Sequence, residues 1–315
     1  MIIKHISIFQ ADTCFPGVLR LPEAAGPAPA VVFHNGYCAY MQMYDAMAEA
    51  FCRAGYVTLQ YDGRGTYGAQ KGGFLCGTQW LEDAACAVGY LTGLPEVDGE
   101  RIGAAGVSMG GAITIMQGAA DPRVKCLYAM APVTTGRTLI EGGWCRSRGR
   151  EAWEEFYRAL LSDAARAAQG FPSAYVDAGY GCFGVNADPA EVEAECRLHP
   201  HKARELSMQS LLNCYLYVDA RSAAERLRIP LCMVQGAADT TVLWADTKAM
   251  YDAAAAPEKE WHLLPGTGHV LPEEACGKVT ALGLAWFDRH LRPENKEEKC
   301  AWTCGRGMKK CCPTA

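Results

Sequence analysis

Three residues far apart in the chain, Ser108, Asp239 and His269, have the types and settings that could turn an alcohol into a nucleophile. A serine hydroxyl attacks a carbonyl at neutral pH only when a base takes its proton and a third group holds that base in the right tautomer. Ser108 stands in Gly106-Val107-Ser108-Met109-Gly110, a G-x-S-x-G pattern with Gly111 next. In a chain with 33 glycines the letters alone are weak evidence. Their weight comes from their place, directly after the apolar run 102–106 and directly before a helix-forming stretch. There the glycines let helix and strand pass closely while the serine occupies a strained turn that projects its hydroxyl outward. The plain alternative is a glycine-rich turn with a solvated serine.

Asp239 follows the apolar run 229–235 in Gly236-Ala-Ala-Asp239-Thr-Thr-Val, which puts a carboxylate at the C-terminal end of a sheet strand, where open α/β sheets bind ligands. Its competing role is to cap a helix starting near Leu243, and Asp246 is the reserve acid. His269 closes the segment Pro265-Gly-Thr-Gly-His269, a glycine-flanked loop after the strand 260–264. Two rivals are less well placed: His262 lies inside that strand, and His290 near the end of the last helix.

These side chains need elements to carry them. The apolar runs 31–33, 56–61, 102–106, 124–130 and 229–235 are short, continuous and bounded by Gly, Asp or Pro, as in strands buried on both faces of a parallel sheet. Helical stretches at 41–54, 79–94, 110–120, 245–254 and 273–290 alternate with them. The expected class is therefore α/β, a mostly parallel twisted sheet with helices on both faces. Antiparallel entry strands near 2–9 and 17–21 complete one edge. Between 132 and 227 no buried strand is expected, while 150–169 and 189–198 read as helices, the second opened by Asp188 with Pro189 at its first position. The chain thus divides into a core of 1–132 and 227–292, an inserted helical cap of 133–226, and a Cys-rich basic tail of 293–315 expected to be flexible.

The order Ser, Asp, His, the elbow and two glycine-rich loops resemble those of the α/β-hydrolases, nearest to the dienelactone-hydrolase-like, cinnamoyl-esterase-like and acetyl-xylan-esterase-like branches. The resemblance covers 2–132 and 227–291. It implies an oxyanion hole with one backbone N–H from the residue after the nucleophile, Met109, and one from Tyr37 in the loop Phe33-His34-Asn35-Gly36-Tyr37. Asn35, inserted between histidine and glycine, departs from the family's His-Gly-aromatic motif and keeps Gly36 open as the second donor. The other loop, Asp62-Gly-Arg64-Gly-Thr-Tyr-Gly68, resembles the family's Asp-x-Arg-Gly-x-Gly segment and reads as scaffold.

The net charge of −5, with Lys and Arg scattered, argues against a nucleic-acid partner. The N-terminus lacks the pattern of a secretory signal, and no apolar run is long enough to span a membrane. A cytoplasmic protein is expected, its oligomeric state open, with a homodimer among the options. The 16 cysteines show no disulfide framework and read mostly as small buried hydrophobes. In the tail, Cys300, Cys304, Cys311 and Cys312 lack the spacing of a closed zinc site. The last four residues match a prenylation box only formally, since Pro and Thr replace its aliphatic pair.

In the insert, Trp144, Trp153, Phe156, Tyr157, Phe171, Tyr175, Tyr180 and Phe183 either line an apolar acyl or aryl pocket or form the insert's own core. Arg146, Arg148 and Arg150 read as a solvated face before an anion site. The expected chemistry is hydrolysis of small-molecule carboxylic esters, small acyl or aryl and cinnamoyl types, through an acyl-enzyme on Ser108, with no metal or organic cofactor. A thioesterase or acyltransferase, a prolyl-oligopeptidase-like peptidase, and a non-catalytic binding protein on the same scaffold are the alternatives.

Overall fold

The computed structural model describes residues 1–11, 13–23, 26–65, 77–186, 188–198 and 204–292. Its strands, in chain order, are β1 (Ile2–Gln10), β2 (Thr13–Leu21), β3 (Ala28–His34), β4 (Val57–Tyr61), β5 (Val97–Val107), β6 (Val124–Met130), β7 (Tyr175–Asp177), β8 (Glu205–Ser207), β9 (Leu231–Gly236) and β10 (Lys259–Leu264). Eight of them form one sheet in the order β1-β2-β4-β3-β5-β6-β9-β10. The first two pairings, β1 with β2 and β2 with β4, are antiparallel, and the remaining pairings are parallel.

The continuous apolar runs follow from burial on both faces. Along β3 the pleat sends Val31 and Phe33 to one side and Ala30 and Val32 to the other. The first pair joins Tyr128, Val234, Phe51 of α1 (Asp45–Arg53) and Phe287 of α12 (Cys276–Leu291). The second joins Leu127, Met233, Val88 of α2 (Gly77–Thr92) and Ile113 of α3 (Met109–Ala120).

Between β6 and β9 lie α4 (Gly136–Arg148), α5 (Arg150–Ala168), α6 (Ala178–Phe183), α7 (Pro189–Leu198), α8 (Met208–Tyr217) and α9 (Ala220–Ala224). After β9 come α10 (Trp244–Ala253) and the short α11 (Leu271–Glu274). The expectation of an all-helical insert needs one correction, since β7 and β8 pair there as a small antiparallel ribbon with Leu206 and Ser207 buried. Three residues per strand are too few to show a period. Helix α4 also escapes the sequence pattern, because Gly142 and Gly143 interrupt its apolar run. Gly143 is held small by packing, as a Cβ there would lie 3.0 Å from the carbonyl oxygen of Cys182. Asp188 does cap α7, accepting from Ala190 N–H at 2.8 Å.

The insert's two stems are stitched together. Thr135 bridges Asp219, Gly136 N–H donates to Val218 O at 2.8 Å, and Arg221 N–H donates to Thr134 O at 3.1 Å. Within the insert Trp144 stacks on Phe156 at 4.0 Å, and these rings and Trp153 are buried in an apolar cluster continuous with the core on the α2 and α3 face of the sheet, while Phe171 and Tyr175 are exposed. No helix among the described residues is long and apolar enough to cross a membrane. The tail with Cys300, Cys304, Cys311 and Cys312, and the 66–68 part of the second glycine-rich loop, lie outside the described residues. Cys38, Cys52, Cys126, Cys182, Cys214 and Cys232 are buried free thiols, as their small apolar character suggests.

Candidate active site

The C-terminal ends of β3, β5, β9 and β10 converge on one edge of the sheet, and each hands over to a loop carrying part of the site. Ser108 follows β5 with φ 58° and ψ −120°, a left-handed conformation that costs a non-glycine residue about 1–3 kcal/mol. Its neighbours hold it there. Ser108 N–H donates to Met130 O at 2.9 Å, and Ser108 O accepts from Ala112 at 3.1 Å and Val133 at 3.0 Å. The two glycines of the pattern are required by space: a Cβ on Gly106 would fall 2.3 Å from Gly110 O, and one on Gly110 would fall 1.9 Å from His34 O.

His269 joins the other two side chains. Its Nε2 lies 2.9 Å from Ser108 Oγ and its Nδ1 lies 2.8 Å from Asp239 Oδ2. An ionised carboxylate can only accept, so Nδ1 carries the ring proton and the Nε2 lone pair faces the serine, the tautomer a base requires. Asp239 is buried and saturated. Oδ1 accepts from the N–H groups of Thr241 at 2.8 Å and Val242 at 2.9 Å, while Oδ2 accepts from Gln235 Nε2 at 2.9 Å as well as from His269. The N-cap of α10 is Leu243, so the competing role of Asp239 is not the one it plays. Asp246 is exposed on the first turn of that helix. His262 pairs with Glu260, and His290 lies near Glu258.

The histidine loop has a clamp that the sequence did not advertise. Glu274 of α11 accepts from Gly268 N–H at 2.5 Å and from Val270 N–H at 3.0 Å, gripping the backbone on both sides of His269. Its only sequence signal is an acid five residues after the histidine. Gln235, oriented by Thr247 Oγ1 at 3.1 Å, was equally silent because a glutamine inside a buried strand reads as an anomaly of composition. Tyr44 is a third. Its hydroxyl donates to His34 O and accepts from Val107 N–H, both at 2.8 Å, and so ties the end of β3 to the elbow.

The glycine-rich loop after β3 runs beside the serine, since a Cβ on Gly36 would lie 3.5 Å from Ser108 Cβ. Gly36 O accepts from Ala39 N–H at 3.1 Å, closing a turn. Across a trans peptide the Tyr37 N–H points opposite to that carbonyl, away from the turn. Met109 opens α3, so its N–H has no carbonyl within the helix to meet. Asn35, the departure from the family motif, donates through Nδ2 to Tyr61 O at 2.8 Å and to Asp62 Oδ1 at 2.7 Å, and Asp62 also accepts from Met41 N–H. It fastens this loop to the next.

His34 lies behind the site, with Nδ1 2.7 Å from Tyr61 Oη and Nε2 2.8 Å from Gln117 Oε1. Burial holds its pKa down, from 6.5 to about 4, so it stays neutral. Arg64 bonds Asp83 and Glu82 at 2.7 Å each, which makes it scaffold between the second loop and α2. Arg148 donates to Gly184 O and Arg150 to Glu141, neither presented as an anion site, while Arg146 donates to Thr241 O at 3.2 Å, beside the Asp239 turn.

A mostly parallel sheet with a strained serine after its central strand and a histidine from the last βα loop defines an α/β hydrolase. The chain belongs to the family described as serine aminopeptidase, S33, whose model matches residues 25–275. It is similar, at 26% identity over 280 residues, to an uncharacterised 31.7 kDa protein of the traX-finO intergenic region of Escherichia coli, covering 86% of this chain and 94% of that one. It is 27% identical over 257 residues to the acyltransferase drtE of Aspergillus calidoustus, covering 77% and 80%. Among solved structures it shares its fold with Est1E from Butyrivibrio proteoclasticus with ferulic acid bound, at TM-score 0.66 and 15% identity over 91% of this chain and 99% of that one.

Proposed function

We propose that the protein is a serine hydrolase that cleaves small-molecule carboxylic esters, of small acyl or aryl and cinnamoyl type, through an acyl-enzyme on Ser108. The observation that carries the reading is the unbroken path from Ser108 Oγ through His269 to the buried Asp239, at 2.9 and 2.8 Å. Along it His269 Nε2 takes the hydroxyl proton as Oγ bonds to the acyl carbon. The N–H groups of Met109 and Tyr37 stabilise the oxyanion. Collapse breaks the bond to the leaving alcohol, which receives the proton from His269. Water, giving its proton to the same nitrogen, then releases the acid and restores the serine.

The insert of residues 133–226 is the cap of this site in our reading. Two contacts support it: Cys182 of α6 meets Cys38 beside the Tyr37 donor, and Arg146 of α4 reaches Thr241 beside Asp239. Transfer of the acyl group to an alcohol or amine in place of water is the second reading, favoured by the relationship to an acyltransferase. The family's description keeps aminoacyl amides in view as a third substrate class.

A fluorophosphonate probe tests the nucleophile. Labelling of the native protein, lost in Ser108→Ala with folding intact, is the expected result; labelling that persists in the variant refutes it. Turnover of an aryl ester should fall by about three orders of magnitude or more in the same variant. Product analysis with competing alcohols then divides hydrolysis from transfer, and aminoacyl-amide substrates divide both from peptidase action.

A further inference from the structure

Away from the site, the register of the two last strands brings three unlike metal-ligating groups together. Glu260 of β10 stands opposite Cys232 of β9, and His262 lies two residues along the same strand, on the same face as Glu260. The Cys232 Sγ, a Glu260 carboxylate oxygen and a ring nitrogen of His262 all lie within 4.8 Å of one another. We propose that Cys232, Glu260 and His262 form a binding site for a borderline divalent cation of the Zn²⁺ type, with the fourth position turned to solvent.

Thiolate, imidazole and carboxylate are the donors such an ion prefers, and bound tetrahedrally they lie roughly 3.4–3.6 Å apart. His262 Nε2 and Glu260 Oε2 already stand at 3.2 Å, so the thiol has only a short way to close. Burial is graded as the site needs. Cys232 is enclosed under α12, whereas the side chains of Glu260 and His262 are 32% and 31% exposed and leave an entry for the ion. Glu260 divides its oxygens, Oε1 held by Arg289 and Oε2 left toward His262. Arg289 is a nearby like charge for the ion, and Glu258, whose Oε1 is 3.5 Å from the same guanidinium, offsets it. With Cys232 giving its proton to solvent and His262 neutral, two carboxylates, one thiolate, one guanidinium and the divalent ion sum to zero. The ion would clip edge strand β10, which leads to the His269 loop, to its neighbour β9.

The test uses the full chain with Cys300, Cys304, Cys311 and Cys312 changed to Ser, which removes thiols outside the described residues that would compete. After chelator treatment it is titrated with Co²⁺, then with Zn²⁺ as competitor. A sulfur-to-cobalt charge-transfer band saturating at one equivalent per chain, displaced by Zn²⁺, is expected. His262→Gln and Glu260→Gln should each weaken binding by about tenfold or more, and Cys232→Ser should lose the band. Zn²⁺ should raise Tm in the parent and not in His262→Gln, a variant exposed enough to fold. No band, or a band with unchanged affinity in both strand variants, overturns the proposal.

Discussion

Asp239 illustrates how much a single side chain is asked to do. One of its oxygens shapes the turn through two backbone N–H groups, and the other faces His269 and Gln235. In Asp239→Asn an amide oxygen can still serve the turn, and the amide NH₂ then meets Nδ1 and drives the ring proton to Nε2, where it blocks the serine. The expected outcome is a fall in kcat of about 10⁴-fold with KM nearly unchanged and a native circular dichroism spectrum. Loss of affinity without loss of kcat would show that the carboxylate serves only the turn.

At the scale of elements, the elbow depends on how closely α3 passes the loop after β3. The Cβ of Gly110→Ala would meet the carbonyl oxygens of His34 at 1.9 Å and Asn35 at 2.6 Å, both backbone atoms that cannot swing aside. Destabilisation by about 3 kcal/mol or more is expected, read from the denaturant midpoint. The contrast is Gly277→Ala near the start of α12, where a Cβ meets nothing within 4 Å; it should be neutral or stabilise by roughly 0.5–1 kcal/mol. The elements themselves were legible wherever burial was complete. β3, β4, β6 and β9 announce themselves as apolar runs, and the loops after β5, β9 and β10 carry Ser108, Asp239 and His269, each loop placed directly after a run that the sequence marks as a strand. What could not be read were partners chosen by tertiary contact. Nothing in Tyr44, Gln235 or Glu274 marks them in the sequence, because their roles arise from which carbonyl or N–H the fold brings near. In the insert, glycines forced by close packing hid α4, and the expected single continuous helix over 273–290 is divided at Ala275 into α11 and α12.

The whole molecule carries an acid sensitivity in His34. Its folded pKa is about 4 against an ordinary 6.5, because burial penalises the charged ring. Between those values the unfolded chain binds a proton that the folded chain refuses, so stability rises with pH through that window. The contribution is fully present at pH 7 and amounts to about 3 kcal/mol, lost as pH falls from about 6.5 to about 4. Urea midpoints between pH 7 and pH 4.5 should show this slope, and His34→Gln should flatten it; an unchanged slope would place the sensitivity elsewhere.

The stitched stems at Thr134–Gly136 and Val218–Arg221 have a consequence for building with this scaffold. Because the chain departs and returns through one small hydrogen-bonded gate, everything between can be treated as a cassette. A chimera that exchanges the segment from a relative at those two points would keep all eight strands of the main sheet and the three polar side chains at its edge, and would show directly whether the exchanged part sets chemical preference.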